Sequence, residues 1–224
     1  DLGVVLAAGG SSTRFGPINK LLADLAGRPV FLHSLVALLP VCPPGHFVLV
    51  VPPAAEAEFR RELDRFLSGV SVKLVHGGQT RAESVRNGLL ALPAAATWAA
   101  VHDAARPLIT AAALIKVLDA ALTYDGAITA RKVTDTLKEA DPEHRIRRTI
   151  DRTPLWAVET PQIFRRQELL TALQACLDQN RHPTDDAAAM DFAGYHPFLC
   201  EIRNPNPKIT SPEDLELAKI ILRG

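Results

Sequence analysis

Four stretches of this 224-residue sequence gather the residue types that hold phosphate. The first, LAAGGSSTRFGPINK (6–20), crowds small residues together and follows them with Arg14 and Lys20. With no side chain in the way, the backbone N–H groups of such a loop come close to an anion. Arg grips phosphate oxygens with two parallel bonds, and Lys acts as a compact charge. The pattern is neither GxxxxGK followed by Ser or Thr nor GxGxxG. Composition alone leaves open an ordinary glycine-rich turn with two surface cations.

The second, HGGQTRAESVRNGL (76–89), again offers small residues, Gly77 and Gly78, before a helix start. Ser84 lies one turn in, within reach of a base edge; a simple helix-capping turn is the other reading. In the third, VHDAARPLI (101–109), Asp103 ends an apolar run, where a carboxylate holds a ribose hydroxyl or a Mg²⁺ ion. Arg106 stands near enough to meet a second phosphate, or simply to pair with Asp103. His102 reads as a packed strand-end histidine. In the fourth, NPNPKITSPEDL (204–215), prolines stiffen a loop carrying Lys208, which by itself reads as an exposed loop lysine.

These stretches need a scaffold that brings residues 14, 20, 103 and 208 to one place. Short apolar runs at 3–7, 47–51, 70–75, 98–102 and 126–130 alternate with helical spacing at 29–39, 54–67, 81–92 and 111–124. That rhythm predicts an α/β fold, a mostly parallel sheet covered on both faces. In such sheets ligands bind at the carboxyl ends of the strands, where the first and third stretches fall. Residues 132–152 break the rhythm: they are polar and charged, with β-type pieces at 133–137 and 146–150 around the Asp141-Pro142 turn. A hairpin that cannot bury itself projects, into solvent or onto another subunit. Helices are expected again at 167–177 and 185–193, a strand at 198–202, and a last helix capped by Ser211 with Pro212 at its first position.

The bulk composition excludes several classes. Lys plus Arg and Asp plus Glu are 25 each, so the formal charge is zero, without the basic surplus of a nucleic-acid binder. No apolar run is long enough to span a bilayer. The chain opens directly into an apolar strand, which gives no expectation of a signal peptide. Three scattered cysteines, in no metal-ligand spacing, read as reduced cytosolic thiols and so a cytoplasmic protein. At 47% apolar residues a substantial core can be buried, and the length suits a single α/β domain over 1–224.

Taken in order, LAAGGSSTRFG, GGQTRAESV, VHDAARP, TPQIF (160–164), TDDA (184–187) and KITSPEDL closely resemble the 2-C-methyl-D-erythritol 4-phosphate cytidylyltransferase family over nearly the whole chain. The resemblance implies a Rossmann-like three-layer sandwich with a protruding β arm, here 132–152, that interlocks a homodimer. It implies CMP transfer from CTP to 2-C-methyl-D-erythritol 4-phosphate with Mg²⁺, in the non-mevalonate route to isoprenoid precursors. By position, Ala7, Ala8 and Gly9 would line the nucleotide, and Gly78, Gln79 and Ser84 would face the cytosine. Asp103 and Ala104 would sit by ribose and metal, and Arg14, Lys20 and Lys208 would act on the phosphates as the catalytic cations. Arg106, Thr136, Arg152, Thr160 and Thr184 would hold the acceptor, partly from the partner's arm. The family loop commonly reads AAGxGxRM, one residue shorter than here. INK stands for the usual PKQ, so the register of Lys20 rests on the following LAGRPV. Gln79 replaces a frequent acidic residue.

Other readings share parts of this pattern. A ribitol 5-phosphate or other polyol-phosphate cytidylyltransferase would differ only in the acceptor pocket. A non-catalytic nucleotide-binding regulator would have lost a charge, yet residues 14, 20, 103 and 208 keep theirs. A dinucleotide redox enzyme would require the absent GxGxxG.

Overall fold

The computed structural model describes residues 1–9, 15 and 19–223. In chain order the elements are β1 (Leu2–Ala7), the short pair β2 (Asp24–Leu25) and β3 (Arg28–Pro29), α1 (Val30–Leu38), β4 (Phe47–Val51), α2 (Glu56–Phe66), β5 (Val72–His76), α3 (Arg81–Ala91), β6 (Trp98–Asp103) and α4 (Ala111–Tyr124). Then follow β7 (Ala127–Lys132), β8 (Leu137–Ala140), β9 (Ile146–Ile150), β10 (Trp156–Arg165), α5 (Arg166–Asp178), α6 (Asp186–Phe192), β11 (Phe198–Glu201) and α7 (Pro212–Arg223).

Among the described residues, seven strands form one sheet in the order β11-β7-β10-β6-β1-β4-β5. β1 pairs in parallel with β4 and β6, β4 with β5, and β11 with β7; β10 alone runs antiparallel, to both β6 and β7. The expected mostly parallel α/β sheet is therefore present. Its central strands are apolar on both sides because both faces are covered. Val4 and Leu6 of β1, with Leu49 of β4, pack toward α1, α2, α4 and α7, in a core that includes Phe31, Phe59 and Leu114. Val5 and Val50 point the other way, onto Val85 and Leu89 of α3 and Leu173 of α5. The period of two sorts one strand's side chains between two cores. α3 lies close to the sheet because residue 88 is glycine: a Cβ there would come within 2.5 Å of Val5 Cγ1.

The sequence reading contained no strand at β10, although it is the longest in the sheet. Pro161 breaks the donor ladder and Glu159, Thr160 and Gln162 are polar, a pattern foreign to a central strand. The pairing of β10 with β7 slips between Val158 and Gln162, which accommodates that insertion. The polar groups are satisfied from elsewhere: Gln162 Nε2 donates to Asp185 Oδ2 at 2.8 Å, and its Oε1 accepts from the Ala187 N–H at 2.9 Å.

Between β7 and β10, β8 and β9 form a separate antiparallel hairpin, with Leu137 opposite Ile150. The first expected piece, 133–137, begins four residues later, at Leu137. Glu139 and Arg148 pair across the hairpin at 2.6 Å, and Ile146 is 66% exposed. No described helix is long and apolar enough to cross a membrane.

Candidate active site

A cavity of about 400 Å³ opens where β1 and β6 end and α3 begins, lined by Ala7, Gly9, Lys20, Gly78, Ser84, Asp103 and Lys208 among others. Residues 20, 103 and 208, far apart in the chain, meet here as the sequence reading required. Arg14 lies outside the described residues.

Each is brought by a different device. β6 delivers Asp103 at its last residue, in register with Ala7 of β1. Lys20 is buried at 8% exposure. Lys208 arrives on a loop strapped to the segment after β6. The Leu108 N–H donates to Asn206 Oδ1 at 3.0 Å, Arg106 Nη1 donates to Asn206 O at 3.0 Å, and the Ile209 N–H donates to Ala105 O at 2.8 Å. Behind the cavity, the first turn of α3 is closed by a capping box between Thr80 and Glu83.

Asp103 is ringed by cations: Lys208 Nζ at 2.7 Å, Arg106 Nε at 3.8 Å and Arg81 Nη2 at 3.9 Å. Burial alone would raise its pKa, but Lys208, Arg81 and Arg106 outweigh that and hold the carboxyl below its ordinary range. Its backbone is fixed as well. The Asp103 N–H donates to Thr160 Oγ1 at 3.0 Å, and Thr160 Oγ1 lies 3.0 Å from His102 Nδ1. His102 Nε2 is 3.1 Å from Arg106 O, an acceptor only, so Nε2 carries the proton and Nδ1 accepts from the Thr160 hydroxyl. Full burial pushes the His102 pKa down to about 4, so the imidazole is neutral, as a packed strand-end histidine.

Ser84 hydroxyl donates to Thr80 O at 2.9 Å and accepts from the Gly78 N–H at 3.0 Å. Ser84 is among the residues that line the cavity. A Cβ on Gly77 would stand 2.9 Å from its Oγ.

Several expected residues are placed differently. The Ala8 N–H is spent on Val50 O at 2.8 Å and the Ala104 N–H on Ala7 O at 3.1 Å; both residues are buried, and Ala105 lines the cavity in place of Ala104. Arg106 is turned toward Asn206 and Glu159 rather than into the cavity. Thr160 lies behind Asp103. Thr184 is exposed at the N-terminal approach to α6. Thr136 and Arg152 are exposed on the arm, where Arg152 donates to Thr134 O, and neither lines this cavity.

Sequence reasoning missed two residues. Arg81 lines the cavity and binds Asp186 through two bonds of 2.9 and 2.7 Å. Asp186 is fully buried, and burial pushes its carboxyl up against the pull of Arg81. The two motifs that contain them, TRAES and TDDA, were the available signal.

Among the described residues no three His, Cys, Asp or Glu side chains converge to hold a metal, and Asp103 is the one carboxylate lining the cavity. That donor set fits Mg²⁺, which takes one or two carboxylates and completes its shell with substrate phosphates and water.

A family model described as IspD: 2-C-methyl-D-erythritol 4-phosphate cytidylyltransferase matches residues 2–224. The chain is similar to the protein of that name from Mannheimia succiniciproducens, 39% identical over 99% of this chain and 95% of the relative. The Dechloromonas aromatica protein of the same name is 42% identical over 98% and 96%. The crystal structure of 2-C-methyl-D-erythritol 4-phosphate cytidylyltransferase from Thermus thermophilus superimposes with a TM-score of 0.80 at 27% identity, covering 99% of this chain and 98% of that one.

Proposed function

The chain belongs to the 2-C-methyl-D-erythritol 4-phosphate cytidylyltransferase family, and we propose that the cavity between β1, α3 and β6 is where it joins CMP to its acceptor. It is a CTP-dependent cytidylyltransferase that makes 4-diphosphocytidyl-2-C-methyl-D-erythritol and pyrophosphate for isoprenoid synthesis. One observation carries the assignment of the site: Lys20, Asp103 and Lys208, from three separate segments, line one cavity at the carboxyl ends of parallel strands.

The acceptor phosphate is itself the nucleophile. One of its oxygens bonds to the α-phosphorus of CTP in line, and the bond to the bridging oxygen breaks, so that pyrophosphate leaves with the electron pair. A phosphate monoester is already ionised at neutral pH, so no protein base is required, and buried His102, with Nε2 facing Arg106 O and Nδ1 facing the Thr160 hydroxyl, takes no part in the transfer. The obstacle is repulsion between two polyanions. Lys20, Lys208 and Arg14 offset it and stabilise charge on the equatorial and leaving oxygens. Mg²⁺ held by Asp103 would neutralise phosphate charge in the same place. Ala7 and Gly9 give the nucleotide close backbone approach. Ser84 has its proton committed, so it offers an acceptor, which suits the 4-amino group of cytosine and not the 4-oxo group of uracil. Arg106 and Thr160 hold Asp103 and border the acceptor, while Thr184 approaches it from α6.

We read Thr136 and Arg152 as acting in a partner subunit's site. Their exposure on an arm that does not reach this chain's own cavity supports a homodimer joined through that arm. We place the protein in the cytoplasm, where CTP is available.

Pyrophosphate release with each of CTP, UTP, ATP and GTP, using methylerythritol phosphate and ribitol 5-phosphate as acceptors, tests this function. Release with CTP and methylerythritol phosphate, at least about tenfold above every other pair, is expected. Equal rates with UTP would remove the role given to Ser84, and no release with CTP would remove the function.

A further inference from the structure

Arg81 breaks a local rule. It is the first residue of α3, where a helix favours anions and disfavours cations. A side chain that works against its own helix is kept for another reason. Its guanidinium makes two parallel bonds with Asp186, the buried first residue of α6. Its Nη2 also faces Asp103 at 3.9 Å. Asp186 is fully buried, and the residue before it, Asp185, caps α6 through the Ala188 N–H at 2.8 Å and takes Gln162 Nε2 on its other oxygen. The segment leading from Thr184 into α6 is thus tied at Asp185 to β10 and at Asp186 to α3.

We infer that the Arg81–Asp186 pair is a strut that positions the Thr184 segment against Asp103, and so sets affinity for the acceptor rather than for CTP. Lysine could not replace Arg81, because a point charge cannot make both parallel bonds to one carboxylate. Arg81 is a positioning residue here, and its action deepens the proposed function and rests on it.

The test uses the full chain and the variants Arg81→Met, Asp186→Leu and their combination. Removing one partner leaves a buried charge or a buried donor unpaired, so both single variants lose stability. The double variant, an apolar pair of similar bulk, regains it. The strut predicts that the acceptor KM rises about tenfold or more in all three, the double variant included, while CTP affinity by calorimetry stays within about twofold. A double variant whose acceptor KM recovers along with its stability would reduce the pair to packing and overturn the inference. So would CTP affinity that falls in step with the acceptor KM. If the single variants do not fold, Arg81→Lys decides: the same split supports the strut, and an unchanged acceptor KM overturns it. Failure of the functional reading is distinguishable, since the unmodified protein would then release no pyrophosphate in the same assay.

Discussion

Lys20 and Lys208 both carry one positive charge into the cavity, yet the protein around them makes those charges unequal. Lys20 is 8% exposed, whereas the Lys208 side chain is 44% exposed. A charge 4 Å from a phosphate oxygen is worth about 4 kcal/mol at the effective dielectric near protein and about 1 kcal/mol in bulk water. Lys20→Ala therefore falls in the range typical of a lost transition-state donor, about 2.7–4 kcal/mol, or roughly a hundred- to a thousand-fold in kcat. Lys208→Ala loses a partly screened charge, about 1–2 kcal/mol, or roughly tenfold. Rapid-quench measurement of pyrophosphate release at saturating CTP and acceptor reads both values. Circular dichroism and thermal midpoints check that the variants are folded. A Lys208→Ala protein slower than Lys20→Ala would refute the link between burial and catalytic weight. Turnover within threefold of the unmodified protein in Lys20→Ala would refute the site.

Three further outcomes follow from the same geometry. If Arg152 serves the partner's cavity, a mixture of inactive Lys20→Ala and Arg152→Ala proteins regains activity by subunit exchange, approaching about a quarter of normal; no recovery under exchange conditions rejects the shared site. Gly88→Ala forces a methyl against Val5 and is expected to cost about 1–3 kcal/mol in urea unfolding, and a neutral result would contradict the close packing of α3. His102 has its folded pKa lowered to about 4 from 6.5, so the unfolded chain binds the extra proton between those values. Its contribution is complete above about pH 6.5 and is lost as the pH falls toward 4, by up to about 3 kcal/mol. His102→Asn should then show a shallower fall in unfolding free energy from pH 7 to pH 5, and an identical slope would count against a buried neutral imidazole.

The parts of the fold that were legible in the sequence are those whose side chains answer to nearby residues. FVLVV at 47–51 and the helical spacing of 111–124 gave their elements because burial on a sheet or a helix face is a periodic demand. β10 was hidden because its polar residues are satisfied from far along the chain, Gln162 by Asp185 and Ala187 and Thr160 by Asp103 and His102, each more than twenty residues away. No local pattern announces such a partner. In the site, Lys20, Ser84, Asp103 and Lys208 were visible as charges or hydroxyls beside small residues and stiff loops. Ala8 and Ala104 looked equally available, but their N–H groups are spent on neighbouring strands, which only the register decides. Arg81 was read only as the start of the helix at 81–92. Its sign against the helix dipole was a clue in plain view, but its partner in TDDA became visible only when α3 and α6 met.

One strand running against the rest has a further bearing on how such proteins diverge. β7 climbs with β6 toward the ligand edge, and β10 returns from that same edge, so whatever is inserted between them must leave and re-enter beside the cavity. Its root is pinned by Trp156 opposite Lys132 and Ala157 opposite Arg131. Everything beyond that root is free to lengthen, shorten or change composition without altering a single rung of the sheet. Grafted hairpins of different length at residues 133–155 would therefore reshape the rim of the pocket, or of a neighbour's pocket, while the nucleotide floor beneath stays as it is.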